Sequence, residues 1–86
     1  MPEISRFFGI SIKMYFDDHP PPHFHAEYGE YIAVVEIHTL VVIGGTLPPR
    51  VLGLVIEWAA QHRGKLLTLW ELAAQHQPLH KLPPLE

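Results

Sequence analysis

Residues 17–30 read Asp-Asp-His-Pro-Pro-Pro-His-Phe-His-Ala-Glu-Tyr-Gly-Glu, and this run sets the direction of the chain on both sides of it. Each proline of Pro20–Pro22 holds its own φ near −65° and biases the residue before it away from helix. His19 to Pro22 therefore form a stiff link in polyproline II or turn geometry. Beyond the link, residues 23–28 alternate in character. His23, His25 and Glu27 fall on one side of a strand, and Phe24, Ala26 and Tyr28 on the other. Phe24 and Tyr28 are the candidates for the core. Gly29-Glu30 then supplies a tight return, so the next strand pairs antiparallel with this one.

Working back toward the N-terminus, Ile10, Ile12, Met14 and Phe16 alternate with Gly9, Ser11, Lys13 and Tyr15, which predicts a first strand over about 8–16. Gly9 reads either as a bulge inside that strand or as a turn before a strand that starts at Ile10. Working forward, residues 31–37 form a third strand in which Tyr31, Ala33, Val35 and Ile37 share a face. A turn at His38-Thr39-Leu40 leads to a fourth strand over about 41–44, closed by Gly44-Gly45.

Leu47 and Pro48 both precede a proline and are extended, which makes Pro49 a natural first helical residue because its missing N–H has no partner to lose there. Over 49–62, Val51, Leu54, Val55, Trp58, Ala59 and His62 cluster on one helical arc opposite Arg50, Gly53, Glu57 and Gln61. Gly53 costs about 1 kcal/mol relative to alanine, and a close packing contact is one reason for keeping it. Gly64 reads as a left-handed cap. A second helix over 65–77 turns Leu66, Leu69, Trp70 and Ala73 inward, and Pro78 ends it. Leu79, Leu82 and Leu85 recur every three residues among prolines in an extended tail, 78–86, either pinned along a groove or frayed. The sum is one α+β domain over 1–86, with a four-stranded antiparallel sheet followed by two helices packed on one face.

Charge and composition narrow the function. The net charge is −3, and the six basic residues (Arg6, Lys13, Arg50, Arg63, Lys65 and Lys81) are scattered rather than gathered into a phosphate-binding stripe, which disfavours direct nucleic-acid binding. With no cysteine there is neither a disulfide framework nor a thiolate ligand, so any metal rests on histidine and carboxylate. No apolar run approaches the length of a membrane span, and the alternation from Arg6 to Lys13 interrupts any signal-peptide core. The expectation is a soluble, cytoplasmic protein.

The chemistry concentrates at the Pro-His loop. His23 and His25, two apart on a strand, project from the same face, a spacing suited to two ligands of one divalent transition metal, with Asp18, His19 or Glu27 completing the set. The same two rings can instead donate to loop carbonyls and fix the turn. A third use is metal-free acid–base work, in which one imidazole accepts and the other donates a proton, as cleavage of RNA through a ribose hydroxyl requires. The catalytic candidates are thus His23, His25 and Glu27, the metal candidates His23 and His25, and the binding candidates Asp18, His19, Tyr28 and His62. His62, a turn after Trp58 on the apolar arc, is either a buried hydrogen-bonding residue or a group that converges on His23 and His25. His38, His76 and His80 read as solvated, with His76 in the last turn of the second helix.

Several motifs together carry a resemblance. They are Pro2-x-Ile4-Ser5-Arg6-Phe7-Phe8-Gly9-Ile10, Tyr15-Phe16-x-Asp18-His19, Pro22-His23-Phe24-His25-x-x-Tyr28-Gly29, Leu47-Pro48 and Trp58-x-x-x-His62. The chain resembles the small bacterial proteins grouped as domain-of-unknown-function family 4160. That resemblance implies an encoded neighbour, since similar proteins stand beside another small uncharacterised domain in the manner of a toxin and antitoxin pair. Two positions depart from the pattern: His38-Thr39-Leu40 replaces an acidic or glycine-containing turn, and Lys65 replaces an acidic residue. Two functions follow. One is a binding or interaction module that presents the Pro-His-Phe-His loop to a small protein encoded nearby. The alternative is a small nuclease or metal-assisted hydrolase using His23 and His25 with an adjacent carboxylate.

Overall fold

The structure, a computed structural model, describes residues 2–86. Its sheet has five strands and not four: β1 (Glu3–Phe7), β2 (Ile10–Lys13), β3 (His23–Tyr28), β4 (Tyr31–Glu36) and β5 (Val42–Gly45), hydrogen-bonded in sequence order and antiparallel throughout. The helices α1 (Pro49–Gln61) and α2 (Arg63–Ala74) follow. The strand expected over 8–16 is thus cut short at both ends. Phe8 (φ 50°) and Gly9 (φ 77°) form a two-residue turn with both central residues left-handed, and Phe7 pairs with Ile10 across it. That backbone matches the twist of a hairpin, which is why such turns join adjacent strands. Of the two readings of Gly9, the turn is the one observed.

Period two decides which side of the sheet is dry. Ile10 and Ile12 of β2, Phe24 and Ala26 of β3, and Ala33 and Val35 of β4 are buried in one cluster with Val51, Val55, Trp58 and Ala59 of α1 and Leu66, Leu69 and Ala73 of α2. Tyr28 and Tyr31, at the Gly29-Glu30 turn, lie beyond this cluster and are exposed, so Tyr28 is not the core residue that alternation suggested. Trp58 holds the centre. Its ring lies 5.5 Å from that of Phe7 and 5.9 Å from that of Phe24, while its indole N–H donates to the Pro83 carbonyl at 2.8 Å. A buried indole N–H needs such an acceptor.

That bond explains the tail. Leu82 and Leu85 are buried, the Leu82 N–H donates to the Ile4 carbonyl, and the Ser5 hydroxyl donates to the Leu82 carbonyl. The tail is pinned, with the backbone of β1 as its groove wall. Between it and α1 lies a cavity of about 330 Å³ lined by Glu57, Gln61, His62, Pro83, Pro84, Leu85 and Glu86.

The helix ends differ from the sequence expectation. Gly64 lies inside the first turn of α2, and the junction between the helices is His62 alone. At the far end α2 stops at Ala74. His76 takes the left-handed position (φ 56°), and the N–H groups of His76 and Gln77 donate to the carbonyls of Ala73 and Leu72. This is the Schellman arrangement, built on histidine where glycine is commonest. His76 is therefore a cap and not a residue of the last helical turn.

Two glycines make opposite predictions. Around Gly53, in the interior of α1, a Cβ would meet nothing within 4 Å, so it marks no close contact. Gly53→Ala is expected to stabilise the protein by about 0.5–1 kcal/mol. Gly45 has φ +69° and lies against the backbone of Ile32, where a Cβ would overlap the carbonyl oxygen. Gly45→Ala is expected to destabilise by about 1–3 kcal/mol. Urea midpoints of the two variants against the parent chain give both signs in one experiment.

His62 adds a pH dependence. Burial lowers its pKa below the ordinary histidine value, and the nearby Lys65 ammonium lowers it further. The unfolded chain therefore takes up this proton first as pH falls. The associated stability is complete above about pH 6.5 and declines below it. Thermal melts between pH 7.5 and 5 should show falling stability, with a shallower slope in His62→Gln. An unchanged slope would mean that His62 is not one of the groups responsible.

Candidate functional site

The face of the sheet away from the helices carries the polar half of each strand. One row crosses it in register: Lys13 of β2, His25 of β3, Val34 of β4 and Gly44 of β5. The next row holds Ser11, Glu27 and Ile32. Most charges here are already spoken for. Lys13 Nζ contacts Glu27 Oε1 at 3.0 Å, and this bond raises the lysine pKa. Ser11 and Arg6 both donate to Glu3, whose carboxyl is held below the usual range by these two hydrogen bonds. Glu27, proposed from its spacing as a partner for the histidines, is thus paired with Lys13.

The Pro-His loop forms one rim of this face. Its entry is tied to the end of α2, where the Asp17 N–H donates to the Ala73 carbonyl at 3.3 Å. Its exit is tied to β4 by the bond from the Ile37 N–H to the Pro22 carbonyl at 2.9 Å. Between these anchors the chain bends at Pro20 and Pro21, whose shared peptide bond is cis. Of polyproline II and turn geometry, a bend is what is observed. The Pro21 carbonyl and the Asp18 carboxylate both face His23, the first residue of β3.

Asp18, His23 and His25 meet there. His23 Nδ1 lies 2.7 Å from the Pro21 carbonyl oxygen, which can only accept, so Nδ1 carries the hydrogen. Its Nε2 lies 2.9 Å from Asp18 Oδ2. The ring is packed 5.0 Å from that of Trp70 and 5.3 Å from that of His25, and His23 is only 8% exposed. A position on the outer face leaves this ring to solvent, a ligand or a partner. Trp70, half-buried on α2, instead reaches the rim and covers the ring.

His25 stands edge-on to Tyr15 at 4.6 Å, and its Nδ1 is buried with no hydrogen-bond partner. Burial, and after it the charge of His23, lowers the His25 pKa, which keeps this imidazole neutral near pH 7. Burial of Asp18 opposes its charge, but the His19 N–H and the His23 ring outweigh that, and its pKa lies below the carboxylate norm. The loop therefore sets an ionised carboxylate, a histidine with one nitrogen committed to the backbone and a neutral histidine side by side. One ligand atom from each lies within 4.8 Å of the others.

The remaining candidates stand elsewhere. His19 serves through its backbone, with an exposed side chain. Tyr28 is at the other end of β3, beside the Phe8-Gly9 turn, where a Cβ on Gly9 would meet its ring at 3.7 Å. His62 does not join the pair. Its ring rests 5.3 Å from that of Trp58, and its Nδ1 is buried without a partner. Trp70 and Tyr15, which pack on the histidine pair, were not legible as site residues: Trp70 recurs as an inward helix residue does, and Tyr15 alternates with the polar side of its strand, as its place beside His25 requires.

No helix among the described residues is long and apolar enough to cross a membrane. No curated protein and no solved structure matches the chain. A family model described as a domain of unknown function, DUF4160, matches residues 9–71, a span that holds the loop, both histidines, Asp18 and Trp58. The loop and the tryptophan helix that first suggested a resemblance thus lie inside the matched region, and the chain belongs to the DUF4160 family.

Proposed function

We propose that the chain is a small binding module that receives an extended segment of a partner protein along β5. The partner is a small protein encoded nearby, in a pair of the toxin and antitoxin kind. The observation that carries this reading is the unequal treatment of the two sheet edges. At β1, the Ile4 carbonyl accepts the tail N–H of Leu82, and Glu3 and Arg6 form an ion pair 2.8 Å long. At β5, residues 40–45 read Leu-Val-Val-Ile-Gly-Gly, without a charge or a proline. Val41 and Ile43 are about half exposed, as is Ile32 on the neighbouring strand.

Charges, inward polar residues and covering segments are the usual means of blunting an edge, and β5 has none of them on its own residues. It is short, and a register shift lies between Val34 and Val35. These two features hold off indiscriminate pairing while leaving room for one shaped strand. Glu30 and Glu36 flank β4 and form no ion pair among the described residues. The matching segment is an apolar strand with basic ends, bound by main-chain hydrogen bonds and by alternate side chains on Ile32 and Ile43.

Gel filtration of the purified chain mixed with the product of the neighbouring gene tests this. A joint peak is expected with the parent chain and with Glu3→Gln at the opposite edge, and separate peaks are expected with Ile43→Glu. Separate elution of the parent chain and that product would end the proposal.

A second reading, a small nuclease or hydrolase, is favoured by one feature: neutral His25 can accept a proton while His23 is held by Asp18. The carboxylate of that reading is Asp18, since Glu27 is engaged by Lys13. Incubation of RNA with the parent chain and with His25→Ala should then show cleavage only by the parent. Equal RNA integrity in the two removes it.

A further inference from the structure

We propose that Asp18, His23 and His25 form a binding site for a single divalent transition-metal ion of the zinc class. Ligand atoms about 2.0–2.1 Å from a tetrahedral ion sit about 3.4 Å from one another. Asp18 Oδ2 and His23 Nε2 are already 2.9 Å apart, and the full set lies within 4.8 Å. Closing that set around an ion means bringing separations of at most 4.8 Å to about 3.4 Å.

The donor atoms are assigned by what their neighbours leave free. His23 Nδ1 gives its hydrogen to the Pro21 carbonyl, so Nε2 faces Asp18 with a lone pair that has to share either a proton or a cation with the carboxylate. A metal-bound histidine nearly always has its other ring nitrogen held in this way, by a carbonyl or a carboxylate, because the bond fixes both tautomer and ring direction. His25 brings the third atom. Its Nδ1 is buried and unpartnered, so no protein group competes for that side of the ring.

The surroundings suit a cation of this kind. Trp70 and Tyr15 wall the two rings and fix their planes. Lys13, the register neighbour of His25, has its ammonium neutralised by Glu27 at 3.0 Å. Two imidazoles and one carboxylate select borderline ions such as Zn²⁺ over Mg²⁺ or Ca²⁺, which require more oxygen ligands. Three protein ligands also leave a coordination position open for water or for a group of a bound partner. The anchors of the loop, Asp17 on α2 and Pro22 on β4, lie outside the ligand set, so the site is held by the fold and not assembled by the ion.

Calorimetric titration of the tag-free full chain with ZnCl₂ is the test. One equivalent is expected to bind. Asp18→Asn and His25→Gln should each weaken binding at least ~tenfold, and a triple variant, His38→Gln, His76→Gln and His80→Gln, should bind as the parent does. Since His23 is packed in the rim and its removal can disturb folding, its part is read in the parent chain by ring-nitrogen NMR. The His23 and His25 signals should move on zinc addition while those of His38, His76 and His80 stay. No binding, binding lost only in the triple variant, or unmoved His23 and His25 signals would each overturn the site. Ile43→Glu should bind zinc like the parent, so this result stands apart from the docking of a partner on β5.

Discussion

The indole of Trp58 is the constraint on which the remainder of the structure rests. A large ring buried at the centre of a domain this small needs aromatic and aliphatic walls on all sides, and its one polar atom needs an acceptor. Phe7 and Phe24 give it walls from β1 and β3, and the Pro83 carbonyl gives the acceptor. One side chain thereby joins the first strand, the central strand, the first helix and the tail. The tail is ordered because it satisfies the tryptophan, and its own leucines close the core between β1 and α1.

A core on one side only leaves the other side of the sheet with a different task. There short polar links pair the side chains of β1, β2 and β3, Glu3 with Arg6 and Ser11, and Lys13 with Glu27. Surface pairs of this kind add little stability, but they remove free charge from β1 and β2. Free carboxylates and exposed apolar side chains are left toward β4 and β5. The asymmetry across one small sheet therefore arises from where charges are paired as much as from where apolar residues lie.

The Pro-His loop belongs to both regions. It is anchored through backbone bonds to α2 and β4, on the core side, and it delivers Asp18 and the Pro21 carbonyl to histidines that point to the outer side. Trp70 does the same in reverse, reaching from a helix to cover His23. A chain with few charged groups to spare thus brings a carboxylate and two imidazoles together at a rim that backbone bonds hold still.

Period-two alternation and proline placement, both local properties of the chain, were enough to determine the α+β class, the inward set Ile10, Ile12, Phe24, Ala26, Ala33 and Val35, and a helix starting at Pro49. They were also enough to place His23, His25 and Glu27 on one face. The fifth strand was hidden because Phe8 occupies a left-handed turn position that Asn or Gly usually signals, so the residues before it read as a lead-in rather than a paired strand. The cap at His76 escaped for the same reason. What became of the three outward residues only the tertiary structure decided: Glu27 went to Lys13, and Asp18 came to His23 in its place. His62 went to the tryptophan, and Trp70 came out to the rim. Alternation specifies a side of the sheet. A hydrogen-bond partner depends on which loop folds back over that side, and here that was set by backbone bonds from Asp17 to Ala73 and from Ile37 to Pro22, between residues far apart in the chain.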